Sequence, residues 1–157
     1  MSIRSGFHFI VITIFTLCSL NIVMGTPLTL AKPANNYIGV GARGGLNDDT
    51  VGVINAKFKI TDLGGVSLSA RPAIFLGDYT ELRLSLTGEK EILPGWSPFL
   101  GGGLATNTDQ SGEVNFMLAG GLDFQINERF VLQVGGNYIF QSNDTDAELA
   151  ITLNYLF

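Results

Sequence analysis

Cysteine and histidine, which commonly act as nucleophiles, bases or metal ligands, are scarce in this chain. Its one cysteine, Cys18, and its one histidine, His8, both lie near the start of the 157 residues. Catalytic sites of the Ser–His–Asp or Cys–His kind, and zinc–thiolate sites, therefore lack their residues in the rest of the chain. The formal net charge of −5 also argues against nucleic acid as a partner. The sequence predicts a protein that is not an enzyme and has no cofactor.

The N-terminal segment has the pattern of a secretory signal peptide. Arg4 gives a positive start, and an apolar run from Phe7 to Met24 is followed by small residues. Cleavage fits after Gly25 or after Ala31, and the small residues before the second point favour it. An uncleaved membrane anchor is the alternative, because about 18 apolar residues can just span a bilayer. The predicted divisions are a cleaved signal peptide, 1–31, and a mature domain, 32–157.

Charged and amide residues occupy alternate positions within apolar segments of the mature chain. Asp123 lies between Leu122 and Phe124, for example, and Gln133 follows Leu132 in the same way. A period of two is the pattern of a β-strand with two different faces, so the polar residues share one face. We expect the charges on this face to pair in a network. Its predicted members are Arg43, Lys57, Arg71, Glu81, Arg83, Asp123, Gln133 and Glu148.

This alternation recurs eight times, with Asn-, Asp- and Gly-rich turns between the segments. Pro72 and Pro98 lack an N–H donor, so a bulge or a strand end is expected at each. An even number of antiparallel strands with short connections can close on itself. The sequence therefore predicts an all-β, eight-stranded antiparallel up-and-down barrel. The predicted strands are 36–46, 51–61, 65–76, 79–90, 95–106, 113–126, 129–141 and 146–157.

Alternation alone does not decide which face meets water. Strands of about 10–12 residues tilted near 45° span about 25 Å, the height of the apolar band of a membrane barrel. The apolar rows are long and almost free of charge, and aromatic residues lie toward the strand ends, as in interfacial girdles. We therefore predict a transmembrane β-barrel with its apolar rows toward lipid. A soluble barrel that encloses an apolar ligand is the alternative.

The polar rows would then fill the lumen, because eight strands leave just enough room for side chains. We expect paired charges and trapped water instead of an open pore. Arg43 and Glu148 lie at the same end of the first and last predicted strands, which meet where the barrel closes, so we predict an ion pair. Two separately solvated rim residues are the alternative. The acidic residues of the predicted outer loops could attract divalent cations or simply form a solvated rim. They are Asp48, Asp49, Asp78, Asp109, Asp144 and Asp146.

The segment from Ala119 to Phe140 combines two glycine pairs with a tight turn, and the chain ends Asn154-Tyr-Leu-Phe157. These features resemble the penultimate hairpin and terminal strand of small bacterial outer-membrane barrels of the OmpA/OmpX-like or opacity-protein type. The resemblance covers roughly the last third of the chain. The short predicted loops depart from it, because family members often carry long external loops.

The resemblance implies an outer-membrane location in a Gram-negative-type bacterium after export. Its implied partners are outer-membrane lipid and lipopolysaccharide, and the barrel-assembly machinery, for which Phe157 would be the assembly signal. We expect a monomer with a structural, surface or envelope-integrity role. A narrow porin-like channel and a soluble periplasmic barrel that binds an apolar ligand are the alternative functions.

Overall fold

The structure is a computed structural model, and it describes most of the predicted mature domain. The predicted signal peptide at 1–31 and both cleavage points lie outside the described residues. So do four of the acidic loop residues, Asp48, Asp49, Asp109 and Asp144. Within the described part of the chain, no helix is long and apolar enough to cross a membrane. The described stretches are 36–45, 50–78, 80–107, 113–141 and 145–157.

Eight strands follow one another, each within two residues of the bounds predicted from alternation. Every strand pairs antiparallel with the next, and β8 pairs with β1, so the sheet is a closed barrel. The predicted all-β, eight-stranded up-and-down barrel is confirmed, and its closure leaves no free sheet edge. The strands are β1 Asn36–Gly45, β2 Val51–Leu63, β3 Val66–Leu76, β4 Thr80–Glu89, β5 Trp96–Asn107, β6 Val114–Gln125, β7 Phe130–Phe140 and β8 Thr145–Leu156.

The barrel has two unlike ends. The β2–β3, β4–β5 and β6–β7 connections define the turn end, and the opposite end is the loop end. At the turn end, Gly64 and Gly65 have φ values of 59° and 88°, which only glycine adopts readily and which a two-residue hairpin turn requires. The β2–β3 register shifts between Lys59 and Thr61, so β2 carries one extra residue there.

Both prolines lie where the hydrogen-bond ladder accommodates them. Pro72 pairs with Leu84 of β4 and has no register pair on β2, although the pairs on either side of it, Asn55–Ala73 and Phe58–Ala70, keep one register. Pro98 is the third residue of β5 and precedes the first β4–β5 register pair, so it faces no residue of β4. The strand end expected at Pro98 is present, whereas Pro72 lies inside β3 at a gap in the β2–β3 pairs, without the bulge or strand end that we expected there.

Burial alternates along the strands and separates the two sides of the sheet. Inward rows carry buried polar side chains, such as Lys57 at 1% exposure, while Leu100 on an outward row is 71% exposed. The predicted facing of the rows is confirmed, with polar residues inside and apolar residues outside. We call the exposed outward rows the apolar belt. Its members include Ile38, Val40, Ile54, Ile74, Leu82, Leu84, Leu86, Leu100, Leu104, Leu118, Val134, Leu149 and Leu153.

Outward aromatic side chains border the apolar belt at the turn end. Three edge-on pairs lie there, with ring centroids 4.9, 5.7 and 6.5 Å apart. Along β7, the distance from Phe130 to Phe140 is about 33 Å. Because the strands are tilted by about 40° from the barrel axis, this corresponds to a height of about 25 Å along that axis. This height matches the hydrocarbon band of a transmembrane barrel. The three pairs are Trp96–Phe124, Phe130–Tyr155 and Phe58–Phe157.

Candidate functional site

Four charged side chains meet in the lumen toward the loop end. Arg83 Nη2 lies 2.8 Å from Glu148 Oε1 and 2.8 Å from Glu81 Oε2, so one guanidinium group bridges two carboxylates. Arg43 forms an ion pair with Glu148, and its Nη1 lies 3.5 Å from Glu81 Oε2. The pairing expected across the β1–β8 closure is therefore present. We call this group the loop-end cluster, and its members are Arg43, Glu81, Arg83 and Glu148.

An aromatic ring supports the loop-end cluster. The guanidinium carbons of Arg83 and Arg43 lie 4.0 and 5.2 Å from the ring centroid of Phe75, within the range of a cation–π contact. Ala105, the register partner of Arg83, packs with Met117 and Ile139 in a buried apolar group on β5, β6 and β7. Charged residues from β1, β4 and β8 and apolar residues from β3, β5, β6 and β7 therefore fill this end of the lumen together.

A second group of polar side chains meets toward the turn end. Lys57 Nζ lies 2.8 Å from Glu89 Oε1 and 3.4 Å from Asp123 Oδ2. Arg71 Nη2 lies 2.9 Å from the same Asp123 oxygen and also forms an ion pair with Glu89. The Tyr37 hydroxyl accepts a hydrogen bond from Arg71 and donates one to Asp123 Oδ1 at 3.1 Å. We call this group the turn-end cluster, and its members are Tyr37, Lys57, Arg71, Glu89 and Asp123.

Arg71 is the centre of the turn-end cluster. Its Nε donates to Thr87 Oγ1 at 2.9 Å, and its guanidinium carbon lies 3.8 Å from the ring centroid of Phe99. Asp123 comes from β6, whereas its partners Tyr37, Lys57 and Arg71 come from β1, β2 and β3. The contacts therefore cross the lumen instead of following the sheet.

Each cluster contains two cationic and two carboxylate side chains, so each has no net formal charge. The side chains of Lys57 and Glu89 are only 1% and 2% exposed, and the side chains of Arg83 and Glu148 are each 1% exposed. Burial of single charges is costly, and pairing with several hydrogen bonds offsets that cost. A balanced arrangement at two levels can thus occupy the lumen where an isolated charge could not.

Gln133, a predicted member of the network, belongs to a third group. Its Oε1 accepts hydrogen bonds from Asn55 Nδ2 at 2.5 Å and from Thr152 Oγ1 at 3.0 Å. These neutral residues lie between the two charged clusters. The predicted single network is therefore divided into a loop-end cluster, a turn-end cluster and this group of amide and hydroxyl side chains.

A small cavity separates the clusters. It offers about 60 Å³ to the centres of water molecules, and its walls include Arg71 from one cluster and Arg83 from the other. Asn55 also lines the cavity, and its Oδ1 accepts no hydrogen bond from the described residues. Since one water needs roughly 10–15 Å³ by this measure, the cavity has room for a few waters.

Sequence reasoning placed all eight predicted network residues on inward rows but missed Tyr37 and Glu89. Glu89 shares the inward row of β4 with Glu81 and Arg83, so the parity of that strand was a sufficient signal. Tyr37 likewise shares the inward row of β1 with Arg43, but it was missed because aromatic residues were expected to face lipid.

Phe157 lies apart from the lumen. Its side chain is 66% exposed, and its ring centroid is 6.5 Å from that of Phe58 on the outer surface. Its N–H donates to the carbonyl oxygen of Asn36 at 3.2 Å, which joins the end of the chain to β1. The role of Phe157 as an assembly signal stays a prediction.

Comparison with known proteins identifies the fold through solved structures. No protein-family model matches the chain, and no curated protein matches it. A de novo designed transmembrane β-barrel is similar with a TM-score of 0.63 at 16% identity, over 80% of this chain and 98% of that one. The N-terminal β-barrel domain of Pseudomonas aeruginosa OprF has a TM-score of 0.56 at 13% identity, over 79% and 98%.

The Yersinia pestis outer-membrane protein Ail, in a phospholipid bilayer nanodisc, is similar with a TM-score of 0.56 at 12% identity, over 79% of this chain and 99% of that one. At these identities the likeness concerns the fold. The chain thus has the fold of the small eight-stranded transmembrane β-barrels. The resemblance to small outer-membrane barrels of the OmpA/OmpX-like type, noted from the C-terminal third, is confirmed at that level.

Proposed function

We propose that the protein is a non-enzymatic outer-membrane β-barrel with a structural or envelope-integrity role and a lumen that does not conduct. The observation that carries the proposal is the pair of balanced ion clusters that cross the lumen. Arg71 joins β3 to Asp123 on β6, and Arg83 joins two carboxylates from β4 and β8. Groups held in this way are costly to separate, so they favour a rigid plug over a pore.

The outer surface supports a location in lipid. The apolar belt and its aromatic border have the height and composition of a lipid-facing band. The location that we propose is the outer membrane of a Gram-negative-type bacterium, reached by export with the predicted signal peptide at 1–31. The proposed partners are outer-membrane lipid and lipopolysaccharide, with insertion by the barrel-assembly machinery through the C-terminal strand and Phe157. We propose a monomer.

A narrow channel is the second candidate, and the cavity between the clusters favours it. A polar space of about 60 Å³ already interrupts the filled lumen. Movement of the side chains at both levels would join this space to the two ends. The clusters argue for the closed form, because both guanidinium groups that face the cavity also hold carboxylates.

A soluble barrel that encloses an apolar ligand fits less well. Its interior would need an apolar chamber, whereas the lumen contains buried Arg, Lys, Glu and Asp side chains. The large apolar residues are mostly on the outside, where water would contact them in a soluble protein.

Two measurements on the full chain test the proposal. The protein should be recovered with the outer-membrane fraction and should migrate differently on gels before and after heating, as folded membrane barrels do. In planar bilayers it should leave the conductance at the level of the protein-free membrane. Recovery in the soluble fraction would contradict the membrane location, and reproducible single-channel currents would favour the channel.

A further inference from the structure

Apolar residues continue past the aromatic border on one side of the turn end. They lie on the β2–β3 hairpin and the β4–β5 connection, which are neighbours around the barrel, and their exposure ranges from 39% to 62%. We call this surface the apolar lip. Its members are Ile60, Leu63, Val66, Ile92 and Leu93.

The β2–β3 part of the apolar lip extends the outward rows of the barrel. Ile60 follows Phe58 by two residues, and β2 continues to Leu63, about 16 Å along the strand beyond Phe58. Val66 begins β3, and its Cγ1 lies 3.3 Å from the place that a Cβ atom on Gly88 would occupy. Val66 therefore lies against the outer side of β4 and is continuous with the apolar belt.

The β4–β5 part of the apolar lip is a turn held by hydrogen bonds. The N–H of Ile92 donates to the Trp96 carbonyl at 3.0 Å, and the N–H of Trp96 donates to the Leu93 carbonyl at 2.8 Å. The N–H of Gly95 donates to the Glu91 carboxylate at 2.8 Å. The turn thus holds Ile92 and Leu93 at the surface beside Trp96, which belongs to the aromatic border.

The opposite side of the turn end is polar. The β6–β7 connection is half-buried Ile126 followed by exposed Asn127, Glu128 and Arg129, and Asn127 Oδ1 accepts the N–H of Arg129 at 2.8 Å. Beside the apolar lip, Lys59 and Asp62 form an ion pair with a distance of 2.7 Å, so these two charges neutralise each other. One half of the turn end is therefore mainly polar, and the other presents exposed apolar side chains next to a few charges, among them exposed Lys90, as a lipid–headgroup boundary would accommodate.

We propose that the apolar lip binds lipid, at the boundary between the headgroups and acyl chains of the leaflet on the turn side. Its continuity with the apolar belt favours lipid as the occupant over a separate protein partner. The barrel would then sit deeper in the membrane on its β2–β5 side than on its β6–β8 side. This inference rests on the proposed function, because it requires that the belt face lipid.

Depth measurements on single-cysteine variants test the proposal. The predicted mature domain has no cysteine, so Leu63→Cys and Leu93→Cys each introduce one site for a nitroxide label. The labelled proteins are reconstituted in vesicles of phosphatidylethanolamine and phosphatidylglycerol. Collisions with oxygen, which concentrates in lipid, and with a water-soluble nickel chelate are then compared. Glu128→Cys in the polar turn is the aqueous control, and Leu100→Cys in the apolar belt is the lipid control.

Labels at positions 63 and 93 should collide with the nickel chelate several-fold less than the label at position 128, and more with oxygen. Equal chelate access at positions 63, 93 and 128, with position 100 still protected, would overturn the apolar lip alone. Access of the chelate to position 100 as well would overturn the proposed membrane barrel. Protection of positions 63 and 93 that appears only at high protein density would assign the surface to a second copy and overturn the lipid proposal.

Discussion

Glu148 is the residue on which the loop-end cluster depends most. Its two carboxylate oxygens accept from Arg83, and Arg43 also pairs with it. Glu148→Gln would remove the carboxylate charge that pairs with two buried guanidinium groups, those of Arg43 and Arg83. Breaking a buried ion pair in this way costs about 3–5 kcal/mol, and the free energy of unfolding should fall by that amount. Urea unfolding in phospholipid vesicles measures it.

Asp62 provides the matched control for a carboxylate lost outside the lumen. Its pair with Lys59 spans three residues at the turn end, and the Asp62 side chain is 60% exposed. Water and salt screen this pair, so Asp62→Asn should change the free energy of unfolding by less than about 1 kcal/mol. Equal effects of Glu148→Gln and Asp62→Asn would mean that the loop-end cluster does not stabilise the barrel.

Tyr37 illustrates which contacts of the site the sequence could not reveal. Its side chain is fully buried, and its hydroxyl contacts Asp123, 86 positions away in the chain. Alternation along one strand indicates a shared face, but it does not say which residues meet across a lumen. The Arg43–Glu148 pair was predictable because β1 and β8 are neighbours at the closure. The Tyr37–Asp123 contact depends on how far each strand is staggered around the barrel.

At the scale of strands, β4 and β5 approach closely at Gly101. A Cβ atom there would overlap the carbonyl oxygen of Leu86 and come within 2.7 Å of Thr87 Cα. These are backbone atoms, so the strands would have to separate. Gly101→Ala should lower the free energy of unfolding by about 1–3 kcal/mol, the usual cost of overpacking. The same urea titration applies.

Gly52 is the matched glycine for comparison with Gly101. It lies on β2, and the nearest atom to an added Cβ would be the Leu76 carbonyl oxygen at 3.8 Å, an ordinary contact. Gly52→Ala should therefore be close to neutral. If both alanine variants unfold like the unmodified protein, the close approach of β4 and β5 at Gly101 is not a constraint on the fold.

The outward row of β6 allows a depth test of the apolar belt. Leu118 lies near the middle of this row, and Val114 begins the strand at the loop end. A charge that faces lipid costs about 2–4 kcal/mol at mid-bilayer and about 0–1 kcal/mol near the interface. Leu118→Arg should therefore reduce the yield of folded, heat-modifiable barrel in vesicles much more than Val114→Arg. Equal yields would contradict the placement of this row in lipid.

The strands were predictable because alternation is a local property of the sequence. Their bounds, to within two residues, and the turn residues follow from the identity of adjacent residues, whereas the facing of the rows also required the strand length and the aromatic residues near the strand ends. The register shift between Lys59 and Thr61 was not predictable, because it depends on how two strands pair. The extra residue in β2 and the hairpin at Gly64 and Gly65 together carry Leu63 beyond the aromatic border.

At the scale of the whole molecule, the closed barrel converts eight amphipathic strands into a surface and a lumen. Sequence reasoning anticipated both, but it expected one polar network. The stagger of the strands places Lys57 and Asp123 with Arg71 toward one end, and Glu148 with Arg83 toward the other. The cavity between these levels follows from the same stagger, so it could not be inferred before the strands were paired.

In the closed form that we propose, the two clusters block the lumen at two levels in series. Because the larger resistance limits a current through two closures in series, opening one cluster should leave the conductance close to that of the unmodified protein. Glu81→Ser with Arg83→Ser removes one charge of each sign from the loop-end cluster, and Lys57→Ser with Asp123→Ser does the same in the turn-end cluster. Each pair of changes keeps its cluster neutral, with one cation and one carboxylate left.

The combination of all four changes should raise the conductance in planar bilayers, since it widens both levels and connects them through the cavity. Far-UV circular dichroism and heat-modifiable mobility establish that each variant is folded before its current is compared. Conductance in one of the double variants equal to that of the fourfold variant would mean that a single cluster closes the lumen. The other cluster would then already let ions pass in the unmodified protein, so opening it further would not raise the conductance. Its role would be only to stabilise the barrel.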